Sequence, residues 1–153
     1  MDRILDPHEL VVSRARALIG QATYLRLAQS SQAPAVVNCL TLVVWAYRPT
    51  GLNLPETLAL IDLGEEVPLE DLAIGDLVFT AGWQAYLNHV RYGEIGHVGI
   101  ATGEGTVVHA TRRVRQARSG VYEDSLEDFI AGDSFRVARQ LLTPESRLLS
   151  RVS

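Results

Sequence analysis

The segment Val37-Asn38-Cys39-Leu40-Thr41-Leu42-Val43-Val44-Trp45-Ala46-Tyr47 constrains this chain more than any other. A helix that is apolar nearly all round has no face to offer water, so the rest of the fold must enclose it. The polar Asn38 stands before the run, and the only cysteine, Cys39, opens it. That pattern places a thiol in the first turn of a buried helix. The partial positive charge of a helix N-terminus favours thiolate over thiol. Such a thiol becomes a nucleophile only if the remaining residues supply a base.

The 153 residues suit one domain around one core. Their 47% hydrophobic content is enough for a packed interior, which argues against disorder. A net charge of -4 gives no electrostatic footprint for nucleic acid. All 14 basic residues are arginine, which reads as composition bias rather than mechanism. A single cysteine excludes an internal disulfide framework and a multi-thiolate zinc site. No apolar run approaches the ~20 residues that span a bilayer. The first residues, Met1-Asp2-Arg3-Ile4-Leu5-Asp6-Pro7, lack the apolar core and cleavage site of a secretory signal. The expectation is therefore a protein made without an export signal, or one whose signal has been removed. Nothing in the sequence sets the oligomeric state.

Asp6-Pro7-His8-Glu9 reads as a helix start, with Asp6 as cap and Pro7 at the first helical position. Leu10, Val11, Ala15, Leu18 and Ile19 follow at helical spacing, and Gly20 suits the stop. His8 is expected on the solvated surface. Residues 23–34 read as irregular. The Cys39 helix should end before Pro49, Gly51-Leu52-Asn53-Leu54-Pro55 should turn, and residues 56–63 should form a short helix closed by Gly64.

Beyond this point the period changes. Asp76-Leu77-Val78-Phe79-Thr80, Gly96-His97-Val98-Gly99-Ile100-Ala101, Thr106-Val107-Val108-His109-Ala110 and Phe135-Arg136-Val137-Ala138 are short and β-rich. Helices first and strands afterwards predict an α+β domain, with N-terminal helices packed on an antiparallel sheet. One domain is expected over residues 1–143, with a loose tail over 144–153.

The chain has four histidines. His8 and His89 fall in a helix start and a loop. His97 and His109 fall in consecutive strands joined by Thr102-Gly103-Glu104-Gly105. Paired positions in an antiparallel hairpin have a constant index sum, and side chains alternate faces. An even sum puts His97 and His109 on one face, where one ring can hydrogen-bond the other and fix its tautomer. An odd sum separates them, and the glycines permit either. Taken singly, a lone cysteine is more often a small buried hydrophobe than a nucleophile. A strand histidine is more often structural than catalytic.

The ordered pieces Asn38-Cys39-Leu40-Thr41-Leu42-Val43, Trp45-Ala46-Tyr47-Arg48, Gly51-Leu52-Asn53-Leu54-Pro55, Leu72-Ala73-Ile74-Gly75-Asp76-Leu77-Val78-Phe79, Gly96-His97-Val98-Gly99-Ile100 and Val108-His109-Ala110 resemble the NlpC-type cysteine peptidases, over residues 17–141. These are bacterial cell-wall hydrolases with a circularly permuted papain-like fold. The resemblance implies an even hairpin register and a Cys39/His97/His109 triad: Cys39 as nucleophile, His97 as general base and acid, His109 orienting His97. It implies an oxyanion site at the Cys39 N–H, no metal and no organic cofactor. Tyr24 matches a tyrosine that lines the family's site, a packed aromatic being the alternative. The implied substrate is an amide bond in a peptidoglycan stem peptide, cleaved through a thioester. Two alternatives stand beside it: thiol chemistry on another amide or ester, acyl transfer included, and a non-catalytic binding module.

Departures from the family pattern surround the thiol. Asn38 replaces an aspartate that helps receive the free amino end of the stem, so Asn38 is a substrate-binding candidate whose specificity differs. Leu40-Thr41 replaces Ser-Gly, and no glycine pair follows Tyr24. The long segment 82–94, with three aromatics, reads as a lid or as an ordinary packed excursion. Arg112, Arg113, Arg115 and Arg118 read either as carboxylate-binding forks or as a solvated basic loop balancing Glu123, Asp124, Glu127 and Asp128.

Overall fold

A computed structural model describes residues 6–83, 85–113 and 120–142. The tail expected over 144–153, with Arg115 and Arg118, lies outside the described residues.

Helix α1, Pro7–Ala17, starts where its cap predicts: the Asp6 carboxylate accepts from the His8 N–H at 2.8 Å. Its Val11, Val12 and Ala15 are buried. His8 is not on the surface as expected. It is 1% exposed, with Nε2 3.0 Å from the Leu142 carbonyl oxygen and Nδ1 3.2 Å from Asp6. The chain returns over the start of α1 after its last strand. That neighbour is 134 positions away, beyond the reach of any local pattern.

Residues 23–34 are more ordered than expected. Strand β1, Thr23–Tyr24, pairs in parallel with β2, Val36–Val37, and Ser30–Gln32 form a 3-10 turn between them. Helix α2 then runs Cys39–Tyr47 and stops before Pro49, as the sequence requires. Leu42, Val43, Ala46 and Tyr47 are fully buried. Burying Leu42 and Val43 contributes about 1.5–3 kcal/mol each. The short helix expected over 56–63 is a 3-10 helix, Leu58–Asp62.

Among the described residues, six strands form one antiparallel sheet. In chain order these are β3, Glu65–Glu66; β4, Leu77–Thr80; β7, His97–Ala101; β8, Thr106–Thr111; β9, Gly120–Ser125; and β10, Phe135–Gln140. Their spatial order is β3-β10-β4-β7-β8-β9. A separate hairpin of β5, Leu87–His89, and β6, Gly93–Ile95, interrupts the connection from β4 to β7. Strand alternation gives the sheet two different faces. Phe79, Val98, Ile100, Val108 and Ala110 face the main core with α1 and α2. Val78, Ala101 and Val107 face a smaller cluster closed by Phe129 of α3, Leu126–Phe129.

Candidate active site

Cys39 is the first residue of α2, and Asn38 is its cap. The Asn38 side-chain oxygen accepts from the Thr41 N–H at 2.8 Å, and the Thr41 hydroxyl accepts from the Asn38 N–H at 2.8 Å. The amide nitrogen of Asn38 donates to the Arg26 and Ala28 carbonyls at 3.0 and 3.2 Å. Both ends of this amide are therefore engaged with the protein. They hold the strip after Tyr24 against the start of α2. Thr41, the larger residue at a position where the family has glycine, supplies the other half of the capping box.

The histidine side is built by strand register. Ile100 lies opposite Val108 and Ala101 opposite Val107, an even sum, so His97 and His109 share a face on a diagonal. His97 Nε2 is 2.8 Å from His109 Nδ1, with the rings edge-on at 80°. On the next strand His109 lies opposite Tyr122, which puts Asp124 on the same face two residues on. His109 Nε2 is 2.7 Å from Asp124 Oδ2. Asp124 also accepts from Arg113, whose guanidinium lies over the Tyr122 ring at 4.0 Å. Phe129 covers the pair, 5.5 Å from the His97 ring and 4.9 Å from the His109 ring. Gly99 lets Val107 and Phe129 come close to β7. A Cβ there would sit 2.4 Å from Val107 and 2.9 Å from Phe129.

The two sides meet at the end of the sheet. The backbone N–H of Val98, the residue after His97, acts on the Cys39 sulfur together with the N–H groups of Leu40 and Cys39. Among the described residues no hydrogen bond joins the thiol to an imidazole. Cys39 is 7% exposed, and burial pushes its thiol up to about 11 despite these donors. The thiolate preference expected of a helix start is thus outweighed by desolvation. Burial, then the neighbouring His109, push His97 down to about 3. Burial also lowers His109, with Asp124 opposing. Burial thus favours the neutral form of both imidazoles and of the thiol.

A family model for the NlpC/P60 family matches residues 28–132, which contain every one of these side chains. The chain belongs to the NlpC/P60 family. A relative from Corynebacterium glutamicum, named as a probable endopeptidase, is 32% identical over 103 residues, covering 67% of this chain and 42% of that protein. The chain spans less than half the length of the curated relatives it matches. The NlpC/p60 domain of the peptidoglycan hydrolase SagA superposes with a TM-score of 0.61 at 21% identity, covering 87% of this chain and 97% of that one. RipD from Mycobacterium tuberculosis, described as a non-catalytic NlpC/p60 protein adapted to peptidoglycan binding, superposes with a TM-score of 0.59 at 15% identity, covering 91% and 100%. These likenesses establish the α+β papain-like fold expected from the sequence.

For an NlpC/P60 domain the surroundings of the site are then specific. A cleft of about 1310 Å³ runs past His97, His109, Asp124 and Phe129. A smaller one, about 480 Å³, holds Cys39, Asn38 and Leu40. Tyr24, Arg26 and Tyr86 line both. Arg26 donates to the Tyr86 hydroxyl at 2.9 Å across the junction. Burial and the neighbouring Cys39 raise the Tyr24 phenol to about 12. In segment 82–94, Leu87 and Tyr92 pack on the core, while Trp83, 94% exposed, lines the cleft. Gly82, at φ +68°, lets the segment pass close to His97; a Cβ would lie 2.8 Å from the Gly96 carbonyl carbon. Of the arginines, Arg113 is a partner of Asp124, and Arg112 lines the larger cleft. Among the described residues no group of three or more His, Cys, Asp or Glu is arranged to hold a metal, and no helix is long and apolar enough to cross a membrane.

Sequence reasoning missed Asp124 as a site residue. Its signal was present only as the alternation of β9, and that strand went unread because its residues Glu123 and Asp124 resemble a solvated acidic run.

Proposed function

We propose that this NlpC/P60 domain is a cysteine peptidase that cleaves an amide bond in peptidoglycan stem peptides. The observation that carries the reading is the 2.8 Å bond between His97 and His109, on strands whose open end meets the first turn of the Cys39 helix. Nucleophilic catalysis by a thiol needs an imidazole to take its proton and a further group to orient that imidazole, and the His97–His109 bond supports His109 in the second role.

In this reading His97 takes the thiol proton as the Cys39 sulfur attacks the substrate carbonyl carbon. The backbone N–H of Cys39, at the start of α2, holds the developing oxyanion. The C–N bond breaks, and His97 returns the proton to the leaving amine. Water, deprotonated by His97, then attacks the thioester. It releases a carboxylate and restores the thiol. Both catalytic charges arise in one proton transfer, because burial holds each group neutral at rest. Tyr24 lines the wall beside the sulfur. Asn38 acts by holding the 26–28 strip at the rim, which shapes the pocket for the acyl part of the substrate.

Purified cell-wall fragments and simple thioesters test the reading. Release of stem fragments that is lost in Cys39→Ala supports it. Turnover of thioesters without wall cleavage redirects it to another amide or ester, or to acyl transfer.

The raised thiol pKa favours one second reading, a peptidoglycan-binding module with an inert cysteine, the role stated for RipD. Alkylation by iodoacetamide separates the two. A catalytic Cys39 reacts well below pH 8 and loses that reactivity in His97→Ala. An inert one reacts only as the pH climbs toward its own pKa, whatever stands at position 97.

A further inference from the structure

We propose that Asp124, ion-paired with Arg113, is a positioning residue that sets the direction of the hydrogen-bond chain through His109 and His97, so that His97 Nδ1 is the bare nitrogen offered to the thiol. The inference rests on the peptidase reading for its catalytic meaning, but its structural content stands apart from that reading.

The donors and acceptors along the chain fix its direction. Asp124 receives both Arg113 and His109 on one oxygen, Oδ2. A carboxylate in an ion pair has only acceptors to offer. His109 must therefore carry its proton on Nε2 and donate it to Asp124. The buried, neutral His109 then has a lone pair on Nδ1, which faces His97 Nε2 at 2.8 Å. That contact needs a proton, and only His97 can supply it. His97 is accordingly the Nε2–H tautomer, with Nδ1 unprotonated. Run the other way, the same two contacts would leave a proton on His97 Nδ1, and the ring would have no base to present.

The direction is decided at the far end because nothing nearer decides it. An imidazole pair is symmetric: either ring can donate to the other. Phe129 covers both rings and offers neither donor nor acceptor. Asp124 is the first member of the chain with a fixed polarity. Three strands are needed to place it: His97 on β7, His109 on β8, Asp124 on β9, all on one face. Arg113 holds the carboxylate from the segment that follows β8, and its stacking on Tyr122 of β9 fixes the guanidinium.

Histidine ¹⁵N chemical shifts, read through long-range couplings to the ring protons, report the tautomer of each ring without any need for activity. In the wild-type chain His97 and His109 are both expected as Nε2–H. Asp124→Ala removes the fixed acceptor and is expected to give His97 a measurable Nδ1–H population. Hydrolysis of cell-wall fragments is expected to fall about 100-fold in kcat, well below the ~10⁴ that the wrong tautomer costs a directly paired catalytic histidine. Asp124→Asn replaces the fixed acceptor by an amide that can donate as well as accept, and is expected to give no rescue, with the Nδ1–H population on His97 and the loss in kcat both persisting. A His97 that carries its proton on Nδ1 in the wild-type chain overturns the proposal, even if no variant folds. So does an Asp124→Ala chain whose tautomers and kcat are unchanged. If the wild-type tautomers are as expected, shift in Asp124→Ala, and no substrate is turned over, the positioning role stands and the peptidase reading falls.

Discussion

The two halves of the site are built by opposite means. The Cys39 half is local: Asn38, Cys39 and Thr41 are neighbours in sequence, and a capping box closes within four residues. Its polar groups are spent on holding backbone in place. The histidine half is wholly non-local. His97, His109 and Asp124 come from three strands, and each polar contact crosses from one strand to the next. Cys39 is thus placed by helix-start chemistry, while the His97–His109 pair is placed by sheet register. Substitutions on the first half should act through stability and pocket shape unless they touch sulfur. Those on the second should act on rate.

The sharpest break between the halves comes from the catalytic candidates themselves. Cys39→Ala and His97→Ala are each expected to lower kcat on cell-wall fragments by on the order of 10⁴-fold or more, with about equal losses because they act as a unit. His109→Ala, one step removed, is expected to cost on the order of 100-fold. Equal losses at all three positions, measured by steady-state kinetics, would mean that His109 does more than orient.

Gly99→Ala tests the cover over the rings. Its methyl would overlap Val107 and Phe129, which should destabilise the fold by about 1–3 kcal/mol in urea unfolding. It should also raise the pKa of His109 as Phe129 is displaced and water reaches the pair. Unaltered stability would show that Phe129 is not held where these contacts place it.

Asn38→Asp tests the other half. A carboxylate can still cap Thr41 but cannot donate to the carbonyls of Arg26 and Ala28, and it turns negative charge toward both oxygens. A loss of about 1–3 kcal/mol in stability is expected. The rate effect should be smaller than that of any histidine substitution. A stable Asn38→Asp chain with faster turnover would show that position 38 reads substrate directly.

The smallest effect is the pH profile of stability. Folded His97 sits at about 3 against an ordinary 6.5, so between these values the unfolded chain binds a proton that the folded one refuses. Stability falls as pH drops through that window. Folded Cys39 sits at about 11 against an ordinary 9.0, so it keeps a proton that the unfolded chain has lost, and stability falls as pH rises from 9.0 toward 11. Denaturation midpoints should show a plateau between the two limbs. Cys39→Ala should weaken the alkaline limb, leaving the part above pH 10 that comes from the raised Tyr24 and Tyr47 phenols, and His97→Ala should weaken the acid one.

Much of this is readable in the residues alone. The run from Leu40 to Tyr47 could only be a buried helix, and the four β-rich segments named from their residues all became strands. Segments 23–24, 36–37, 65–66, 87–89, 93–95 and 120–125 went unread as strands. Glu65–Glu66 and Gly93–Ile95 are too short to carry a period, and Tyr122-Glu123-Asp124 looks like solvent-facing acid. His8 misled for the same reason that Asp124 was missed: each is defined by a partner far along the chain.

What the sequence alone determined is the set of parts: a thiol at the start of an enclosed helix, two histidines on adjoining strands, and the change from helical to strand period. These follow from nearest-neighbour preferences and side-chain periodicity, which are local. Tertiary structure alone decided the even register, the burial that keeps thiol and imidazole neutral, and the reach of the chain to Asp124. Each depends on the parity of strand pairing or on what excludes water, and both are properties of residues brought together from distant positions.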